Sequence, residues 1–121
     1  MDVDVPAQSL DLLRGTFDLL ILKSLAAGPA HGYTIAQWIE RSTADMLDIE
    51  EGTLYPALHR LERRKLISAE WGVSENNRRA RFYGLTPLGR RSMRSEQASW
   101  SKLVHALVAA IDAPIAASAR A

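Results

Sequence analysis

Gly52-Thr53-Leu54-Tyr55-Pro56-Ala57-Leu58-His59-Arg60-Leu61-Glu62-Arg63-Arg64 reads as one helix with two unlike faces. At about 100° per residue, Leu54, Leu58 and Leu61 fall within a narrow arc. Tyr55, Pro56, His59, Arg60 and Arg63 lie opposite. A buried structural helix has no use for that second face; a helix lying against nucleic acid does. Proline fits a helix best in its first turn, where its missing N–H has no partner. Pro56 therefore predicts a start near Gly52 or Thr53, with Thr53 as N-cap.

Outward from this helix, the N-terminal side is helical too. Residues 1–9 read as a flexible end. Leu10 to Ala27 is strongly apolar, with Phe17, Leu20, Ile21, Ser24 and Leu25 on one side and Leu19 and Leu22 on the other. A helix apolar on two sides packs against two things. Gly28-Pro29 stops it. After His31-Gly32-Tyr33 a second helix runs to about Ser42, with Ile35, Ala36 and Ile39 inward.

On the C-terminal side, Ile67, Ala69, Trp71 and Val73 alternate with Ser68, Glu70, Gly72 and Ser74, the period of a half-buried strand. Glu75-Asn76-Asn77-Arg78-Arg79 is a polar turn, and Arg81 to Leu85 a second strand. Thr86-Pro87 restarts a helix, threonine capping and proline leading. It runs to about Ile111, with Trp100, Leu103, Val104, Leu107, Val108 and Ile111 stepping by three and four. Asp112-Ala113-Pro114 ends it. The predicted class is mainly α with a small β-hairpin. A winged helix-turn-helix occupies 10–86, a C-terminal dimerisation helix 87–112 and a mobile tail 113–121.

Composition narrows the function. The 121 residues are 47% hydrophobic and 24% charged, enough for one compact soluble domain. No run reaches the ~18–20 apolar residues of a membrane span. The acidic start lacks the basic front of a signal peptide. Zero cysteines exclude disulfides and thiolate metal sites and fit a reducing cytoplasm. Net charge is +1, but residues 50–94 hold ten Lys/Arg against five Asp/Glu. One third of the chain thus forms a basic face.

His31, His59 and His105 lack metal-ligand spacing. No Gly-rich phosphate loop or nucleophile constellation is present. Asp48, Glu50 and Glu51 suit a helix N-terminus on ordinary grounds. The expectation is a non-enzyme without cofactor or metal.

The sequence also resembles the PadR-like transcriptional regulators. The resemblance rests on Leu20-Ile21-Leu22 before Gly28-Pro29, on His31-Gly32-Tyr33, on Gly52 to Glu62, and on Arg78-Arg79-Ala80-Arg81-Phe82-Tyr83-Gly84-Leu85-Thr86-Pro87-Leu88-Gly89. It runs from about Leu13 to Trp100 with the motifs in order. It implies a cytoplasmic homodimer that binds a palindromic operator and usually represses. In some members an aromatic on the last helix helps bind an effector. One departure is Lys65, where the family commonly has glycine; the usual left-handed helix stop is less easily formed there.

For such a protein the N-terminal part of the third helix meets base edges. Thr53, Tyr55, Pro56 and His59 are the candidates; the alternative reading of Tyr55 is a core ring with its hydroxyl at the surface. Arg60, Arg63 and Arg64 reach phosphates. Asn76, Asn77, Arg78, Arg79 and Arg81 on the wing suit a minor groove. Tyr33 and Thr34, opening the second helix, meet a phosphate. Leu19, Leu22, Trp100, Leu103, Val104, Leu107, Val108 and Ile111 are the expected dimer face, with Trp100 either a wall for a planar effector or a packing residue. The alternatives are a winged-helix protein-interaction module and a DNA-binding activator without an effector pocket.

Overall fold

The computed structural model describes residues 7–115, with side chains from 15 onward. The elements run α1 (Ala7–Ser24), β1 (Ala30–His31), α2 (Gly32–Ser42), α3 (Glu51–Arg63), β2 (Ile67–Val73), β3 (Arg79–Leu85) and α4 (Pro87–Ile111). Helix α1 begins at Ala7, so 7–9 are not a loose end; residues 1–6 of that expectation, and 116–121 of the expected tail, lie outside the described residues.

The core lies between α1, α2, α3 and the base of the sheet. Ile21, Leu22, Leu25, Ile35, Ile39, Leu54, Leu58, Leu61, Leu66, Ile67, Tyr83 and Met93 are all buried in one cluster. Each fully buried aliphatic side chain contributes about 1.5–3 kcal/mol relative to exposure. The leucine arc of α3 is thus consumed by the core, and its other face is left to solvent. Leu22 is consumed as well: it is 2% exposed, so the expected dimer face loses it. The helix turns its second apolar side inward too, because α4 and the end of α3 close over it.

Helix α3 starts earlier than Pro56 suggests. Glu50, not Thr53, is at the N-cap position, and the N–H groups of Thr53 and Leu54 both donate to the Glu50 carbonyl. Pro56 is therefore the sixth helical residue. Its ring removes the bond to the Gly52 carbonyl. Gly52 and Pro56 are both exposed, so solvent can serve that carbonyl.

The end of α3 corrects a second expectation. Lys65 adopts φ 63°, the left-handed stop that glycine usually makes. Leu66 N–H donates to Leu61 O at 3.0 Å and Lys65 N–H to Glu62 O at 2.9 Å. That pair of bonds is a Schellman motif, with Leu61 and Leu66 both buried beside it. Lysine accepts the strain and the helix ends as glycine would end it.

The sheet has three strands in the order β1-β3-β2, antiparallel throughout. Strand β1 is unforeseen: Ala30 pairs with Tyr83 and His31 with Phe82. Strand β3 begins two residues earlier than predicted, at Arg79. On one face of the hairpin the pairs Ile67–Leu85, Ala69–Tyr83, Trp71–Arg81 and Val73–Arg79 follow in register. The first two sit over the core. The last two lie past its edge, and there Trp71 is 60% and Val73 65% exposed.

Helix α4 is fixed at its start and free along its length. Thr86 Oγ accepts from Gly89 N–H at 2.9 Å. A Cβ on Gly89 would lie 1.8 Å from the Leu66 carbonyl oxygen, so only glycine lets the helix seat there. Glu96 and Gln97 still adjoin α1, Gln97 accepting from Lys23 at 3.5 Å; past them the apolar stripe faces solvent. Leu103, Val104, Leu107 and Val108 are about half exposed, and Ile111 77%. No helix among the described residues is long and apolar enough to cross a membrane.

Candidate nucleic-acid interface

An open cleft of about 410 Å³ lies between α3, the start of α2 and the wing. Tyr55 and His59 line it from α3, His31, Gly32 and Tyr33 from the start of α2, and Trp71, Arg79, Arg81 and Tyr83 from the wing. Five of the expected DNA contacts, namely Tyr33, Tyr55, His59, Arg79 and Arg81, therefore meet in one place. Local packing explains how. Tyr55 lies across Gly32, where a Cβ would be 2.8 Å from its hydroxyl, yet the residue is still 41% exposed. Both readings of Tyr55 hold in part: the ring packs, and one edge faces the cleft.

His31 is held in place by an edge-on contact with Phe82 and a 3.3 Å contact of its Nε2 with the Thr34 hydroxyl. It leads into a second groove, of about 270 Å³, shared by Tyr33, Thr34, Gln37, Ser74, Glu75 and Asn76. The start of α2 thus adjoins the wing turn. In that turn Asn77 takes φ 57°, its N–H donating to Ser74 O, and Ser74 N–H donates to Arg78 O. Asn76, Asn77, Arg78 and Arg79 are all exposed.

The arginines divide into two groups. Arg60 turns toward α1 and donates to Asp18 Oδ1 at 3.0 Å, both side chains being partly buried. Arg81 donates to Glu62 Oε2 at 3.0 Å, tying the wing to α3. Both were expected at DNA; both instead have a carboxylate partner within the chain. Arg64 lines a groove with Leu19, Leu22 and Glu96 between α1 and α4, not the cleft of Tyr55 and His59. Thr53, Pro56 and Arg63 are exposed on α3 with no such engagement among the described residues.

Trp71 is the residue that sequence reasoning missed. The Arg79 guanidinium carbon lies 4.4 Å from the centre of its ring, and that of Arg81 5.9 Å away. Contacts of this type at exposed sites contribute about 0.5–1 kcal/mol. Burial raises the pKa of Tyr83, Arg81 opposing and Glu62 and Tyr55 adding to the shift.

Comparison with known proteins agrees with the geometry. The model of the "Transcriptional regulator PadR-like family" matches residues 21–95. The chain belongs to the PadR-like family of transcriptional regulators. It is 33% identical over 90 residues to the transcriptional regulator Rv3488 of Mycobacterium tuberculosis, covering 74% of this chain and 80% of that one. A transcriptional regulator from Clostridium thermocellum superposes with TM-score 0.73 at 29% identity, over 91% of this chain and 100% of that one. A PadR family regulator from Eggerthella lenta gives TM-score 0.70 at 30% identity, over 89% and 92%. The four helices and three-stranded sheet are thus a PadR-type winged helix.

Proposed function

We propose that this PadR-like regulator is a homodimeric repressor that binds a palindromic operator. The observation that carries the DNA reading is the cleft, where Tyr33, Tyr55, His59 and Arg79 converge beside the exposed start of α3. Thr53, Pro56 and His59 are the base-reading residues on α3, and Arg63 a phosphate contact. Asn77, Arg78 and Arg79 serve the wing, with Tyr33 and Thr34 at the adjoining strand backbone.

The dimer reading rests on α4. Leu103, Val104, Leu107, Val108 and Ile111 form a continuous exposed apolar stripe along it, the kind of surface that marks a partner contact. Two such helices packed together would set the reading heads about one helical turn of DNA apart. Trp100, Ser101, Val104, His105 and Val108 line an open depression of about 480 Å³ on the same helix. Facing a symmetry mate, it becomes an enclosed site in which Trp100 offers a flat wall to a planar effector. Such an effector works only by binding the DNA-competent and incompetent spacings with different affinity.

A gel-shift assay on the DNA upstream of its own gene tests the reading. Specific binding that survives excess competitor DNA supports it. A chain that binds no duplex beyond competitor level would instead be an interaction module.

A further inference from the structure

We propose that the cleft between α3 and the wing seats one DNA phosphodiester, and that Trp71 is the positioning residue that holds Arg79 over it. The inference rests on the DNA-binding reading and assigns a role to a residue which that reading leaves idle. Three observations carry it.

The first is the exposure of Trp71. It continues the inward face of β2 after Ile67 and Ala69, but the core has ended and the ring is left 60% exposed. Its neighbours across the hairpin are cations rather than apolar side chains. Arg81 is directly opposite in register and Arg79 is diagonal to it. Diagonal neighbours on an antiparallel pair are within reach of long side chains.

The second is the division of labour between those cations. Arg81 is neutralised by Glu62. Arg79 lies closer to the indole, and no acid pairs with it among the described residues. The Arg79 guanidinium carbon lies 4.4 Å from the ring centre, within cation–π range, so the indole face restricts where that cation can lie. Glu62, Arg81, Trp71 and Arg79 thus form a chain of contacts from the reading helix to a pre-oriented, uncompensated cation.

The third is what surrounds that cation. Tyr33, Tyr55 and His59 supply further polar groups around the cleft. A site with one arginine unpaired among the described residues, further polar groups and flat walls suits a single anionic group on an extended backbone. A strand passing between the groove read by α3 and the groove met by the wing presents such a group.

The test uses the full chain and a duplex selected from random sequence. If wild type selects no duplex, the DNA-binding reading itself fails. If it does, Arg79→Ala is expected to weaken binding about tenfold per half-site and to lower the salt slope of the dimer by about 1.8, one phosphate contact in each half-site. Trp71→Leu, which keeps apolar bulk but removes the ring face, should also weaken binding. The double variant should be no worse than Arg79→Ala alone, and Trp71→Phe should restore most of the affinity. Wild-type affinity in Trp71→Leu, or additive losses in the double variant, would overturn the positioning role. A duplex carrying one uncharged methylphosphonate at each backbone position in turn probes the seat without any Trp71 variant. Wild type should lose affinity at every contacted phosphate, and at one of those positions per half-site Arg79→Ala should show no further loss. An equal loss in both proteins at every position would overturn the phosphate seat.

Discussion

The Thr86 hydroxyl donates to the carbonyl oxygen of Lys65 at 2.7 Å while accepting the Gly89 N–H at 2.9 Å. One side chain therefore caps α4 and binds it to the backbone where α3 ends. The Thr86 N–H adds a bond to Leu66 O. Thr86→Val keeps the shape and removes the hydroxyl's contacts with the Lys65 and Leu66 carbonyls and with the Gly89 N–H. It should lower unfolding free energy by about 1–2 kcal/mol in urea denaturation, with Thr86→Ser close to wild type. Equal stability of the valine and serine variants would mean that the cap contributes nothing.

The left-handed Lys65 stores strain that glycine would not. For a residue with a Cβ this conformation costs roughly 1–2 kcal/mol, partly offset because glycine also frees the unfolded chain. Lys65→Gly should therefore stabilise the protein by about 0.5–1 kcal/mol. A raised thermal midpoint checks it; Lys65→Val should move the midpoint down.

These two residues also show what the sequence could tell. Thr86 was legible as a cap because threonine before proline is a local signal. The leucine arc of α3 was legible because its period alone says which side is buried. Lys65 misled because propensity says what a residue prefers, and the Schellman bonds to Leu61 and Glu62 override a preference of this size. Strand β1 escaped because Ala30 and His31 are too few to show a period. The period-two reading of β2 found the right face at Trp71 but said nothing of how far the core extends beneath it. Arg60 and Arg81 looked free because their partners lie 42 and 19 residues away. The unpaired basic face is thus smaller in the fold than in sequence: Arg63, Arg78 and Arg79 are exposed with no carboxylate partner among the described residues.

That division makes a contrast between neighbours on α3. Arg60→Ala should lower stability, by about 1 kcal/mol for a partly exposed pair, and leave the salt slope of DNA binding unchanged. Arg63→Ala should do the reverse, with little change in stability and a dimer slope smaller by up to about 1.8, one contact per half-site. Urea denaturation and binding isotherms at several salt concentrations separate the two. A lowered slope in Arg60→Ala would show that the ion pair with Asp18 opens on DNA.

Tyr83 makes stability depend on alkaline pH. Burial raises its pKa above the usual 10.0, and the nearby Arg81 does not reverse the shift. The folded chain then holds the phenolic proton more tightly than the unfolded chain. Its contribution is complete below pH ~10 and is lost as pH rises through the folded value. Wild type should therefore lose stability above pH 10 more steeply than Tyr83→Phe, as denaturation midpoints between pH 8 and 11 would record. Parallel profiles would remove Tyr83 as the cause.

The bare stripe on α4 supplies the last contrast. Leu107, 51% exposed, lies near the middle of the stripe, whereas Lys102 is on the opposite side of the helix at about 100° per residue. Pairing two stripes would bury Leu107, where a charge is costly without a partner. Leu107→Glu should therefore yield monomers by sedimentation equilibrium, with little change in the fold of the winged helix. Lys102→Glu, a larger change in charge, should leave the assembly intact. Losing the second reading head removes the gain from binding two half-sites together, which is on the order of a hundredfold or more. Operator affinity should fall accordingly in Leu107→Glu. A monomeric wild type, or a Leu107→Glu variant that still sediments as a dimer, would mean that α4 serves another contact.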